Sequence, residues 1–322
     1  MYTIGIDLGG TNIAAGVVDE NHGIIGRSNL KTRLPRPQDE IMADLSAAAK
    51  LALDDAGVTR KNIKWIGVGS PGAADPERGV ILYASSLKFT NADIRSRIER
   101  DFGAPCFVEN DANAAAVGEY LAGAGRGERD FVAITLGTGI GAGVFVDGRL
   151  MTGFNHAGGE IGHMVIKLDG GVRCTCGLDG CFEMCCSATA LKRETIRAME
   201  RDRGSVMWAL SEGDTANVSG RTAFEATQLS DKSAKIVIDE YIRCLATGLI
   251  NVVNIFQPAV ICIGGGVGNA PDEYLLDPVR ELVAGRTYGH SFLPRTRIVH
   301  AALGNDAGII GAAGLGHLAG GS

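Results

Sequence analysis

The sequence has no apolar run long enough to cross a bilayer. It has no cluster of lysine or arginine, and its 31 basic residues against 37 acidic ones leave a net charge of −6. Such a balance lacks the electrostatic footprint of a nucleic-acid binder. No signal peptide precedes the first strand-like run, Tyr2-Thr3-Ile4-Gly5-Ile6. A reducing, cytoplasmic setting is therefore expected, where disulfides are disfavoured. No disordered linker or low-complexity stretch interrupts the chain. What remains is ordinary globular composition, 45% hydrophobic and 21% charged, in 322 residues, enough for two domains and a large core.

Glycine, by contrast, is plentiful at 46 residues. Much of it sits in tight clusters after apolar runs, which suggests turns that approach phosphate. The first cluster, Gly9-Gly10-Thr11-Asn12, joins a strand from Tyr2 to Leu8 to a second from Ile13 to Val18, and a third strand-like run covers Ile24 to Leu30. Backbone N–H groups at Gly9 and Gly10 can come close to an anion, Thr11 adds a hydroxyl donor, and Asp7 stands where it can hold Mg²⁺ through water. Many hairpins carry two glycines and a threonine, so this corner alone is a weak signal. It recurs in Gly137-Thr138-Gly139. Shifted by 127 positions, Gly10, Thr11, Ile13, Ala15, Gly16 and Val17 fall on Gly137, Thr138, Ile140, Ala142, Gly143 and Val144. The repeat suggests two similar domains holding phosphates between matching hairpins; two unrelated glycine turns are the alternative.

Between these units the periodicity predicts a helix from about Gln38 to Ala56, a buried strand from Ile63 to Val68 ending in Gly69-Ser70-Pro71-Gly72, and a helix from Ala92 to Phe102. A strand from Pro105 to Val108 runs into Glu109-Asn110-Asp111. Asn110 and Asp111 thus stand where a strand ends and a helix begins, the usual location of site residues in an α/β sheet. Either can also serve as the helix N-cap, and the two roles divide naturally if Asn110 caps while Asp111 faces a cleft. Further on, helices are expected at Ser187 to Arg201, Lys232 to Phe256 and Asn305 to Leu318. A loop is expected at Asp214 to Arg221, and a buried strand from Ala259 to Ile263 ends in Gly264-Gly265-Gly266-Val267-Gly268.

The densest chemistry lies between Ala157 and Glu183. Gly-Glu160-Ile-Gly-His163 is followed by Cys174-Thr-Cys176-Gly-Leu-Asp-Gly-Cys181-Phe-Glu183. His163, Cys174, Cys176 and Cys181 make the ligand set of a closed tetrahedral zinc site. Gly177 and Gly180 let the chain turn sharply enough to aim the sulfurs at one point. Ordinary buried cysteines or disulfides are the competing readings; Cys106, Cys185, Cys186, Cys244 and Cys262, in apolar or small-residue contexts, are read as structural. A structural zinc hairpin does not need Glu160 and Glu183 on its flanks, whereas a site that grips hydroxyl groups does.

In this order, the Gly-Thr corner and its repeat, Glu-Asn-Asp, Gly-Glu-x-Gly-His, Cys-x-Cys-Gly-x-x-Gly-Cys-x-Glu and the late glycine turn resemble the ROK family of sugar kinases and repressors, over essentially the whole chain. The resemblance implies an α/β, two-domain hexokinase–actin-like (ribonuclease H-like) fold with the active-site cleft between domains. The small domain would take 1–117 plus 305–322, and the large one 118–304 with the zinc motif. It implies ATP with Mg²⁺ and structural Zn²⁺ as cofactors. ATP phosphates would lie at Asp7, Gly9, Gly10, Thr11, Asn12, Gly137, Thr138 and Gly139, and adenosine at Gly265 and Gly266. Sugar hydroxyls would meet Gly72, Asn110, Asp111, Glu160, His163 and Glu183, with Asp111 as catalytic base. The implied activity is phosphorylation of a hexose, glucose first, with fructose, mannose and N-acetylmannosamine as alternatives. A homodimer or homotetramer is expected, with neither nucleic acid nor membrane as partner. The family's repressors carry a helix-turn-helix ahead of the first glycine corner, where this sequence has six residues before Asp7; that branch is ranked low.

Overall fold

The structure is a computed structural model that describes residues 1–319. Positions 320–322 of the expected small domain lie outside the described residues. The chain divides into two compact units, one of residues 1–133, 143–159 and 302 onward, the other of residues 134–142 and 160–301.

The first unit is built on a five-stranded sheet in the order β3-β2-β1-β4-β8. Its strands are Tyr2–Leu8 (β1), Asn12–Val18 (β2), Ile24–Lys31 (β3), Ile63–Ser70 (β4) and, after β5 to β7, Cys106–Asn110 (β8). β1 to β3 form an antiparallel meander, as the turn glycines foretold, while β4 and β8 join parallel to β1. Helix α1 (Gln38–Ala56) buries Ile41, Leu45, Ala48, Ala52 and Leu53 and ends at Gly57 in the left-handed conformation, φ 63°. The C-terminal helix, Ala307–Ala319, presents a small-residue face to β1, β4 and helix α3 (Asp111–Ala122). The fit is so close that a Cβ at Gly5 would lie 1.8 Å from the Ile309 carbonyl oxygen and one at Gly67 would lie 1.7 Å from that of Ala312.

Periodicity missed a three-stranded sheet, Ala73–Asp75 (β5), Val80–Ala84 (β6) and Phe89–Asp93 (β7), in the order β5-β6-β7. The helix expected from Ala92 begins two residues later, at Ile94 (α2, Ile94–Phe102). Ala92 and Asp93 pair with Ile81 and Val80, and the Asp93 carboxylate then accepts from the Ser96 N–H as N-cap.

Another five-stranded sheet has the order β11-β10-β9-β12-β13. Its strands are Phe131–Leu136 (β9), Ile140–Val146 (β10), Arg149–Leu150 (β11), Val260–Gly264 (β12) and Arg297–His300 (β13). The second unit carries helices Phe182–Cys186 (α4), Ala188–Arg201 (α5) and the long Lys232–Phe256. Ser187 caps α5 through the Ala190 N–H at 3.1 Å. The expected loop from Asp214 to Arg221 holds only a short 3-10 turn, Thr215–Asn217. No helix among the described residues is long and apolar enough to cross a membrane.

Candidate active site

In the first unit the site grows from three strand ends. β1 delivers Asp7, β4 leads through Pro71 to Gly72, and β8 ends in Asn110 opposite Ser70. Asn110 is the N-cap of α3, its side-chain oxygen accepting from the N–H groups of Ala112 (2.8 Å) and Asn113 (3.2 Å). Its amide nitrogen donates to the Gly72 carbonyl at 3.1 Å. Gly72 has φ 104°, and a Cβ there would lie 2.3 Å from the Tyr83 carbonyl oxygen, so only glycine lets the two segments meet. Asp111 follows as the first residue of α3 and accepts from the Ala112 N–H at 2.9 Å. Burial, and then the neighbouring charge of Asp111, raise Asp7 to a pKa of about 6. Two carboxyl groups that resist ionising together are the arrangement a cation would relieve, so the residues present fit a Mg²⁺ held near Asp7.

The glycine corner beside Asp7 is closed by the Gly9 N–H donating to the Asn12 carbonyl at 2.8 Å, with Gly10 and Thr11 exposed. Strand β3 braces it. Thr32 donates its N–H to the Thr11 carbonyl at 2.9 Å and its hydroxyl to the Gly9 carbonyl at 2.7 Å. Lys31, paired opposite Asn12, donates to the Asn12 side-chain oxygen at 2.9 Å. Sequence reading missed this ammonium group, because only the β2–β3 register brings it to the corner.

The repeated corner lies in the second unit. The Gly137 N–H donates to the Gly139 carbonyl at 3.0 Å, so both corners close on the aligned position, Asn12 and Gly139, from donors one position apart. The start of α5 stands behind it: the Ala188 N–H donates to the Gly137 carbonyl and the Thr189 hydroxyl to the Thr138 carbonyl. Glu183 reaches the same turn, one carboxylate oxygen accepting the Ile140 N–H at 2.9 Å and lying 2.3 Å from where a Gly139 Cβ would be. Gly265, φ 84°, backs onto the end of β9, and a Cβ there would lie 2.5 Å from the Leu136 carbonyl oxygen, whereas Gly266 faces open space. His300 anchors the far end of this turn through Gly268, whose carbonyl lies 2.8 Å from Nδ1, and through Asp272. No sequence signal pointed to His300.

The cysteine hairpin brings its four predicted ligands together. The ligand atoms of His163, Cys174, Cys176 and Cys181 all lie within 4.8 Å of one another. Cys176 and Cys181 sulfurs are 3.6 Å apart, and the His163 nitrogen facing Cys174, at 3.6 Å, is Nδ1. Tetrahedral zinc, with Zn–S of about 2.3 Å, sets its sulfurs about 3.8 Å apart. The protons tell the same story. Burial pushes the Cys181 thiol up to about 12, while the Leu178 N–H draws Cys176 below the ordinary thiol value. A packed set of thiols that cannot all ionise fits a divalent cation. Gly180 permits the fold-back, since a Cβ there would lie 1.8 Å from the Lys167 carbonyl oxygen. Glu160, exposed, sits immediately before the 3-10 turn Ile161–His163.

Residues 3–318 match the ROK family model. The chain belongs to the ROK family. Its relatives include a glucokinase of Thermotoga maritima, 34% identical over 313 residues, which are 97% of this chain and 96% of the relative. A ROK glucokinase of Streptomyces griseus, solved with glucose and AMPPNP, superposes with a TM-score of 0.83 at 34% identity, covering 98% and 99% of the two chains. The ROK hexokinase of Thermus thermophilus gives 0.81 at 35% identity over 99% of each. The fold is accordingly the hexokinase–actin-like α/β fold. Of the other cysteines in this ROK chain, Cys106, Cys186 and Cys262 are buried, and Cys185 and Cys244 are half-buried; none of the eight forms a disulfide.

Proposed function

We propose that the protein is a glucokinase, transferring the γ-phosphoryl group of ATP to the 6-hydroxyl of glucose. The observation that carries the reading is Asp7 and Asp111 brought together at the ends of β1 and β8, the strands on either side of β4, in a chain of glucokinase-like length and sequence. Asp111 accepts the hydroxyl proton as the sugar oxygen attacks the γ-phosphorus, and the bond from phosphorus to the bridging oxygen breaks to leave ADP. Mg²⁺, when bound with ATP, supplies charge neutralisation, and Asp7 is the residue that would hold it through water. The corners at Gly9–Asn12 and Gly137–Gly139 offer N–H groups to phosphates, and Gly265 and Gly266 take the adenosine. Asn110, Glu160, His163, Glu183 and the Gly72 backbone hold the sugar hydroxyls.

Zinc has a supporting role. Three thiolates and Nδ1 of His163 would hold it, and four protein ligands would leave it a supporting rather than a chemical role. With Nδ1 on the metal, the proton of His163 resides on Nε2, which is left to donate to a sugar hydroxyl. The test is ATP turnover against a panel of hexoses. Glucose should give the highest kcat/KM; a preference for fructose, mannose or N-acetylmannosamine would keep the chemistry and change the substrate. Absence of sugar-dependent ATP consumption, in protein that still binds sugar, would sink the kinase reading in favour of a sugar-sensing regulator.

A further inference from the structure

Strand alternation decides which side chains share a face with Asp7. In the β1–β2–β3 meander Asp7 pairs with Ala14 and Ala14 with Asn29, while Asn12 pairs with Lys31. Directly opposed residues point to the same face, and so do residues two apart along a strand. Asp7, Asn12 and Lys31 therefore leave the sheet on one face, at its glycine-corner end. Leu8 and Ile13 leave it on the other, fully buried in one cluster with Ile41 and Leu45 of α1. Lys31 is exposed yet tethered. Its Nζ donates to the Asn12 side-chain oxygen at 2.9 Å. Thr32, the next residue, is fully buried and hydrogen-bonds to the Gly9 and Thr11 carbonyls. The lysine stem thus grows from backbone that is tied to the corner itself. Among the described residues the partner of Nζ is a neutral amide, not a carboxylate. The positive charge is therefore not cancelled from within the fold, and an ammonium with three N–H groups keeps two to donate.

We propose that Lys31 is a phosphate ligand for the nucleotide: its ammonium group, steadied by Asn12, pairs with the triphosphate of ATP where that tail lies against the Gly9–Asn12 corner. The proposal deepens the kinase reading and rests on it for placing phosphates there. The need is electrostatic. The corner itself offers only neutral donors, backbone N–H groups and the Thr11 hydroxyl, and the ionisable group on the same face is a carboxyl, Asp7. A triphosphate carries several negative charges, and an ammonium is an apt point-charge partner for phosphoryl oxygens. Sheet order assigns the division of labour. β3 and β8 are the two edge strands, with β1 between them, so Lys31 and Asp111 flank Asp7 from opposite sides. Lys31 therefore meets the nucleotide's tail and not the sugar hydroxyl that Asp111 serves.

The test is a binding series on the full-length protein, with AMPPNP, ADP and AMP measured by calorimetry in Mg²⁺ buffer, beside steady-state kinetics with glucose and ATP. Lys31→Met keeps the stem and removes the charge. It should weaken AMPPNP about tenfold or more, the usual size of a lost hydrogen bond to a charged group. ADP should weaken less, and AMP should be nearly unchanged. In turnover kcat/KM for ATP should fall by a similar factor, with the sugar KM within about twofold of wild type. The thermal midpoint should hold, because the side chain is exposed. Arg33→Met removes an exposed charge close by in sequence and should leave all these quantities alone. Unchanged AMPPNP affinity in Lys31→Met would overturn the proposal. So would equal weakening of AMPPNP and AMP, which would place the effect away from the phosphates. Equal losses in Lys31→Met and Arg33→Met would reduce it to general surface charge. Wild-type protein that binds AMPPNP but turns over no hexose would strike the kinase reading instead, and the binding series would still decide for or against Lys31. Wild-type protein that binds no AMPPNP would overturn both.

Discussion

Asp7 shows at one residue how the site trades stability for chemistry. Its folded pKa of about 6 stands above the ordinary 3.8. The native state thus holds the proton more tightly than the unfolded chain. The stability this contributes is full below the unfolded pKa and is lost as pH rises through about 6. A shift of roughly two units corresponds to on the order of 3 kcal/mol. Asp7→Asn should therefore raise the thermal midpoint of the ligand-free protein above pH 6 and leave it nearly unchanged near pH 4, while abolishing turnover. A midpoint that falls at neutral pH would contradict the burial of a reluctant carboxylate. Asp111→Ala makes a paired expectation. It should lower kcat by on the order of 10²- to 10⁴-fold, the usual size of a general-base contribution, with sugar binding largely kept. It should also lower the Asp7 pKa, since the neighbouring charge of Asp111 contributes to its rise. Near-normal turnover in that variant would remove Asp111 as the base.

At the scale of single elements, what could be read in the sequence was what rests on local chemistry. The cysteine hairpin was legible because bringing three cysteines and a histidine to one point constrains their spacing directly, and α1 and the long Lys232–Phe256 helix because burial of one face repeats every three to four residues. The small sheet β5-β6-β7 was not, since its strands are three to five residues long and too short to show alternation. Lys31 and His300 went unread for another reason: strand register or tertiary packing gives each its place, and neither is written in local spacing. The late glycine turn shows how a readable motif can still mislead a test. Gly265 is a packing glycine against Leu136, so Gly265→Val would damage the fold together with any nucleotide site. Gly266 has open space and no positive φ. Gly266→Val should keep the unfolding free energy within about 1 kcal/mol of wild type, as surface changes do, and raise the ATP KM well above any change in the sugar KM. Equal rises in both would count against adenosine at this turn.

Across the whole molecule, dependence on the metal should be uneven, and burial says where. From Val165 to Asp179 the only buried residue is Cys174, and Leu168 and Leu178 are 85% and 52% exposed. A segment with so little apolar surface removed from water cannot hold its fold by packing. The strands β1, β4 and β8 have an apolar cluster of their own, with Ile4, Ile6, Ile66 and Val68 fully buried and no zinc-site residue among them. Metal binding free energy should therefore act as local folding free energy for the hairpin and for α4, which follows Cys181 directly. Native protein should contain one zinc per chain by elemental analysis. After chelation, hydrogen exchange should accelerate across 163–186 by at least about tenfold while β1, β4 and β8 keep their protection. Cys176→Ser, which removes an exposed ligand without opening a cavity, should give the same pattern and a raised sugar KM through His163. Uniform loss of protection would mean that the metal supports the entire fold. Unchanged exchange in protein shown to be zinc-free would mean that the hairpin stands without it, and that His163 is oriented by something other than a metal.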